Sequence, residues 1–183
     1  MTRSLYLPPS SRWFSVSRLF SAGEWSESEG GGRQEVAAPL DLVPLHLRGG
    51  HILPLQQPAL NTSHSRANPL ELLAALDDDI AGLGSIFLDD GESVNTVEEG
   101  KFLQAEMEIK DNVLSMSVIH DGLGNQTSAG LYFERIVVLG FRREITAITV
   151  NGEDYTDWTF SDGGLFINNL SLQVNEDFSV VFV

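Results

Sequence analysis

Cysteine is absent from this chain, which excludes disulfides and thiolate metal sites and removes any thiol-based sign of redox compartment. Basic residues are scarce, 11 Lys and Arg against 26 Asp and Glu, for a formal net charge of −15. That balance excludes nucleic acid and anionic membrane surfaces as partners, since both are held by Lys and Arg. No apolar run approaches the ~20 residues that a membrane helix needs, so no membrane span is expected. The four histidines, at 46, 51, 64 and 120, lack the His-x-x-x-His or His/carboxylate spacing that would suggest zinc. Glu29-Gly-Gly-Gly-Arg33 lacks the Lys-Ser/Thr of a phosphate-binding loop, and no Gly-x-Ser-x-Gly elbow supports a serine nucleophile. Neither a metal nor a cofactor is therefore expected.

What is present is dominated by one segment, Ala38 to Pro58. Val43, Leu45 and Leu47 alternate with Pro44, His46 and Arg48, the period-two pattern of a half-buried strand. Gly49-Gly50 then supplies the backbone freedom for a bulge or bend before a second strand over Ile52 to Leu55. Prolines at 39, 44, 54 and 58 place these strands at a sheet edge or at strand ends, because proline cannot donate to a ladder. Further on comes Phe87-Leu-Asp-Asp-Gly-Glu92, an aromatic strand ending in a turn.

The order Tyr6 to Phe14, Pro39 to Leu60, Phe87 to Ser93 and Gly100-Lys-Phe102 resembles the C-terminal β-sandwich region of the family 31 glycoside hydrolases, the α-glucosidases of lysosomal acid and intestinal maltase type. Beyond residue 102 the likeness thins to a pattern of strands, although Val137-Val-Leu-Gly140 resembles the family's penultimate-strand region. Leu88 departs from the family, in which tryptophan or tyrosine often precedes the first aspartate. The resemblance implies a parent enzyme that hydrolyses terminal α-glucosidic bonds with retention, using two aspartates on a (β/α)8 barrel. It also implies that this region packs in cis against that barrel, and that the parent is secreted, lysosomal or otherwise in the secretory pathway. No Trp-Ile/Leu-Asp-Met-Asn motif occurs here, and the chain lacks the ~250 residues of a barrel, so no catalytic residue carries over. Met1 to Pro9 lacks the apolar core of a signal peptide, so the directing segment is expected elsewhere.

The expected fold class is all-β, two β-sandwich-like domains in tandem: a proximal domain over 1–101 and a distal one over 102–183. Strands are expected at Ser4–Leu7 and Trp13–Phe20, and Ser21 to Glu35 reads as a flexible loop. For Asn68 to Leu76, local propensity favours a helix and the resemblance favours a strand; the strand is adopted. After Phe102, short strands recur at 104–110, 113–119, 130–139, 144–150, 156–160, 165–167 and 178–183. Asp111-Asn112, Asn151-Gly152 and Asp162-Gly163 supply hairpin turns between them.

Glycoside hydrolysis needs two carboxylates facing each other across a bond about 5–5.5 Å apart in retaining enzymes. Neighbours on a strand point to opposite faces, so Asp89-Asp90 reads as a turn rather than a catalytic pair. The acidic stretch from Glu71 to Glu108 reads as a solvated face, and His46 with Arg48 as an exposed polar ladder. Of the aromatics Trp13, Trp25, Trp158, Tyr6 and Tyr155, most read as core; Trp25, in a polar stretch, is the candidate for stacking on a sugar. An alternative function follows, a stand-alone carbohydrate-binding module that takes α-glucan or oligosaccharide. Asn61-Thr-Ser63, Asn125-Gln-Thr127 and Asn169-Leu-Ser171 are acceptors for N-glycosylation in a secretory setting.

Overall fold

Alternation along the chain becomes paired strands in the computed structural model, which describes residues 1–123 and 130–183. A two-stranded antiparallel sheet pairs β1 (Thr2–Leu7) with β4 (Gly32–Ala37). A three-stranded sheet has β2 (Arg12–Arg18) at its centre, flanked by β3 (Glu24–Glu29) and β5 (His46–Arg48). The largest sheet begins with β6 (Gly50–Gln56), β7 (Leu70–Ala75) and β8 (Gly82–Leu88). It continues through β9 (Leu103–Lys110), β10 (Val113–Asp121) and β11 (Tyr132–Leu139). Its remaining members are β12 (Ile148–Val150), β13 (Glu153–Tyr155), β14 (Trp158–Ser161), β15 (Gly164–Ile167), β16 (Leu172–Gln173) and β17 (Phe178–Phe182). The spatial order is β13-β12-β17-β10-β9-β8-β6-β7-β11-β15-β14, with β16 on β11. Helix is confined, among the described residues, to two single turns, α1 (Leu19–Ala22) and α2 (Thr62–Ser65). The protein is all-β.

β7 explains why its sequence looks helical. All six residues of Leu70-Glu-Leu-Leu-Ala-Ala75 are buried, because the strand is sandwiched between two apolar clusters. Leu70, Leu72 and Ala74 face the main core with Phe133, Ile136 and Val138, while Leu73 and Ala75 face a second cluster with Phe14, Leu47, Val137 and Leu139. A strand buried on both faces has no polar side and shows no alternation. The one charge in it, Glu71, lies directly across from Arg135 in the parallel β7–β11 pair, and Arg135 Nε and Nη2 donate to Glu71 Oε2 at 3.0 and 2.5 Å. A buried carboxylate is tolerated only with such a partner.

The expected boundary near residue 101 falls in the connection between β8 and β9. These strands pair directly, from Gly82–Ile109 to Leu88–Leu103, and the main core draws on residues from both sides, Ile52 to Phe182.

Several expected elements differ. Ser21–Glu35 is not a loop: it holds α1, β3 and the start of β4. Two residues with positive φ close tight turns at Asp111-Asn112, Asn151-Gly152 and Asp162-Gly163, as the turn chemistry requires. Val43 and Leu45 precede the strand, which starts only at His46, and they are exposed; likewise β12 starts at Ile148 rather than Glu144. β13 and β16 are too short to leave a periodic signal.

The glycine pair has two different reasons. Gly50 adopts φ of 85°, a left-handed conformation that costs other residues energy. At Gly49 the reason is space, since a Cβ would stand 2.8 Å from the Leu76 carbonyl oxygen and 3.2 Å from Arg12 Cβ. β5 and β6 thus join where the chain passes hard against the end of β7.

Candidate functional site

Arg12 occupies that junction. Its Nε and Nη2 donate to the two carboxylate oxygens of Glu27 at 2.6 and 2.8 Å, and Nη1 donates to the carbonyls of Asp77 and Leu76 at 3.0 and 3.3 Å. The guanidinium also lies 5.2 Å from the Phe14 ring centroid. This fork ties the three-stranded sheet to the end of β7. Its hydrogen bond holds the Glu27 carboxyl below its ordinary range, against the opposing effect of burial. Sequence reasoning passed over Arg12, which opens β2 in an unremarkable Ser-Ser-Arg-Trp stretch.

The Asp-Asp-Gly corner is likewise a structural device. Asp89 Oδ1 accepts from Gly91 N at 2.8 Å and Oδ2 from Thr96 Oγ1 at 3.2 Å, and Arg66 donates to the Asp89 carbonyl. Asp90 Oδ1 accepts from the backbone N–H of Glu92 and Ser93 at 3.0 and 2.9 Å, and Oδ2 from the Ser93 hydroxyl. The Ser93 hydroxyl and those N–H groups hold Asp90 down to about 2. Each carboxylate serves its own turn, so the pair does not converge on a substrate atom. The acidic stretch around it is not wholly a solvated face, since Glu71 is buried and Asp77 Oδ1 accepts from Asp79 N and Ala81 N, both at 2.9 Å. Among the described residues no group of His, Asp and Glu is arranged to hold a metal ion.

The aromatic candidates separate by environment. Trp25 is half-buried: its ring tilts against Phe14 at 5.9 Å between centroids and packs over Gly164, where a Cβ would meet the indole Nε1 at 3.1 Å. Trp13 Nε1 donates to the Pro8 carbonyl at 3.1 Å, Trp158 Nε1 to Tyr155 O at 3.0 Å, and the Tyr155 hydroxyl to Asn168 O at 2.6 Å. Tyr6 is exposed.

Beside Trp25 lies a cleft of about 430 Å³ between the outer face of the three-stranded sheet and β4. The expected exposed ladder of His46 and Arg48 divides there. Arg48 is exposed and bonds Ser11 Oγ at 2.9 Å, whereas His46 turns into the cleft wall, and burial lowers its imidazole below 6.5.

Of the glycosylation candidates, Asn61 is exposed as the N-cap of α2, its Oδ1 accepting from His64 N at 2.9 Å. Asn169 is exposed with φ of 53°, and its Nδ2 donates to Asp157 Oδ2 at 2.5 Å. Asn125 lies outside the described residues.

No protein-family profile matches the chain. Individual relatives do. Intestinal sucrase-isomaltase of Suncus murinus is 36% identical over 170 residues, covering 85% of this chain and 9% of the relative. Lysosomal alpha-glucosidase of Rattus norvegicus is 32% identical over 174 residues, covering 94% of this chain and 17% of the relative. Among solved structures, the catalytic subunit in the ER glucosidase II heterodimeric complex superimposes with a TM-score of 0.80 at 18% identity, covering all of this chain and 21% of that one. The chain thus spans a small fraction of the enzymes it matches, and the part it spans is all-β with no converging carboxylate pair among its described residues. It belongs to glycoside hydrolase family 31, of which it carries the C-terminal, non-catalytic β-sandwich region.

Proposed function

We propose that this chain acts as the scaffold of an α-glucosidase that cleaves terminal α-glucosidic bonds with retention, packed in cis against a (β/α)8 barrel that carries the catalytic aspartates. The observation that supports the reading most is where its apolar side chains remain uncovered. Leu40, Val43, Leu45 and Leu60 are 98%, 72%, 53% and 103% exposed, all on or beside the segment of closest family likeness. Isolated exposed leucines are ordinary, but a run of them along one segment is what a separated interface leaves behind. The two halves, 1–101 and 102–183, are proposed as a proximal and a distal unit of that scaffold, joined through the β8–β9 pair. Passage through the secretory pathway, with glycans on Asn61, Asn125 and Asn169, belongs to the same proposal. The test is hydrolysis of a chromogenic α-glucoside. The isolated chain should give no turnover above buffer, and turnover would overturn the scaffold reading.

A second reading, a stand-alone carbohydrate-binding module, rests on the cleft beside Trp25. Maltose titration followed by tryptophan fluorescence tests stacking on that indole: quenching lost in Trp25→Phe supports it, and a flat titration excludes it.

A further inference from the structure

Arg142-Arg143 is the one place in the sequence where two basic residues adjoin, in a chain whose acidic residues outnumber basic ones 26 to 11. The pair lies in the connection between β11 and β12, outside any strand or helix, and Arg142, Arg143 and Glu144 are all exposed. Among the described residues, the backbone N–H groups from Arg142 to Ile145 donate to no acceptor, while those of Phe141 and Thr146 on either side donate to the Gly163 and Val183 carbonyls at 3.0 and 2.7 Å. The other Lys and Arg residues are placed differently. They lie within strands, save Arg66, whose N–H closes α2 onto the Thr62 carbonyl at 3.0 Å, and Lys101, whose N–H donates to the Thr96 carbonyl at 2.7 Å. A protease takes its substrate as an extended segment with free backbone groups, so backbone already committed to a ladder or turn resists it.

The two guanidiniums are held lightly. Arg142 Nη2 pairs with Asp78 Oδ1 at 2.7 Å, with the side chains 59% and 67% exposed, an ion pair of the kind that contributes little, and Arg143 Nη2 donates to the Phe182 carbonyl at 2.9 Å. Neighbours on an extended segment point to opposite sides, so each arginine can fill its own carboxylate-lined subsite, the charge match by which a serine protease selects basic residues. We infer that the Arg143–Glu144 bond is a processing site for a serine endoprotease of dibasic specificity. Water adds across the C–N bond, leaving a carboxylate on Arg143 and an ammonium on Glu144. Ile145, one residue past the bond, is only 2% exposed, so cutting follows local opening of this connection and not global unfolding. The product stays assembled. The piece after the cut carries β12 to β17, and β17 pairs with β10 while β15 and β16 pair with β11. Ile145, Ile148 and Phe182 of that piece belong to the main core. The processed scaffold is a two-chain body held by its sheet, with or without an attached barrel.

The experiment is limited digestion of the full chain in native buffer, read by fragment mass, with trypsin and separately with a kexin-type dibasic endoprotease as probes. Trypsin, which needs one basic residue, should cut first after Arg142 or Arg143, and the kexin-type enzyme after Arg143 alone. The pieces 1–143 and 144–183 should co-elute in gel filtration and part only in urea. Arg142→Gln disturbs one exposed ion pair, so the fold should hold; it should abolish the kexin-type cut and leave the tryptic cut after Arg143 in place. A first tryptic cut at Lys101 or Arg66 overturns the assignment. So does a kexin-type enzyme that leaves the chain intact while cutting a synthetic peptide of the sequence Leu139 to Ala147, because the fold then withholds the bond. Kexin-type cutting that persists in Arg142→Gln, or pieces that separate in gel filtration without urea, overturn it as well.

Discussion

Arg12 should carry more of this fold's stability than any other surface-proximal side chain, and Arg12→Met tests that. Methionine keeps an unbranched apolar stem of similar length over Phe14 and deletes only the guanidinium. Two losses follow. The ion pair with Glu27 goes, but Glu27 is 40% exposed and regains water, so this loss is worth at most about 1 kcal/mol. The bonds from Nη1 to the Leu76 and Asp77 carbonyls are different, because the arginine side chain is only 6% exposed and the Leu76 contact is fully buried. A charged hydrogen bond to a buried acceptor is worth roughly 1.5–3 kcal/mol; the Leu76 bond is long at 3.3 Å and the Asp77 bond only partly buried, so the two together are counted as about one full bond. The sum is about 2–4 kcal/mol.

For a chain of this length each kcal/mol lowers Tm by about 2–4 °C, so Arg12→Met should unfold about 4–16 °C earlier than the parent. Urea denaturation gives the free energy directly, and a cycle with Glu27→Gln divides it. The single Glu27→Gln change should cost less than about 1 kcal/mol, with most of the arginine effect persisting in its presence. Loss of Arg12 should also release the Glu27 carboxyl upward, since its hydrogen bond is the largest cause of the lowering. An Arg12→Met cost below about 1 kcal/mol would refute the view that this guanidinium pins the two sheets together, because it would mean water replaces it without loss.

Glycine substitutions next door should divide by mechanism. Gly49→Ala must displace Leu76 backbone and should cost about 1–3 kcal/mol in urea, and Gly50→Ala should cost about 1–2 kcal/mol from its left-handed backbone alone. Asp90 should titrate near 2 by NMR, and Ser93→Ala, which removes the largest cause, should move it upward. Its folded pKa is depressed, so its contribution to stability is complete above 3.8 and is lost as pH falls toward about 2. His46 has the opposite consequence. Its imidazole is lowered by burial, so the unfolded chain takes the proton first and stability declines as pH falls below 6.5, a decline that His46→Phe should flatten in Tm measurements. Glu71→Leu would leave Arg135 half-buried without its carboxylate, so it should destabilise more than Glu71→Leu combined with Arg135→Met, as denaturation of both variants would report.

Legibility in the sequence followed how local each cause was. Turn positions were legible because Asn-Gly and Asp-Gly tolerate positive φ through their own covalent structure, whatever packs around them. Strands β9, β10 and β17 were legible because one face of each is solvated and the alternation survives. β7 was not legible from its residues alone. Two layers cover it, so periodicity vanishes and Leu/Ala content imitates a helix; only the family likeness placed it. Ser21–Glu35 failed for the reverse reason: polar side chains on both faces of β3 and β4 look like a loop, although backbone pairing with β2 and β1 makes them strands. At the candidate site, Trp25 drew attention through its polar neighbours, yet its ring faces Phe14 and Gly164. His46 looked like part of an exposed ladder because alternation assigns a face but not what stands beside it, and here β4 and the segment from Leu42 to Pro44 line the same cleft as His46.

The same reasoning accounts for the signature segment itself. Arg48-Gly49-Gly50 and Asp89-Asp90-Gly91 look like chemistry because glycines and carboxylates cluster in both, and each cluster has a purely mechanical cause. Gly49 lets β5 pass the Leu76 carbonyl, and Gly50 redirects the chain into β6. Gly91 makes room for the Arg66 guanidinium, whose Nη1 would otherwise stand 2.4 Å from a Cβ, and that arginine ties the Asp89 corner to the α2 segment. In each case a glycine admits an arginine, or the backbone beside one, to a carbonyl at the end of a strand. The carboxylates then close the turns around it. A region built this way can hold its shape without a catalytic centre, which is what a scaffold beside an active domain requires.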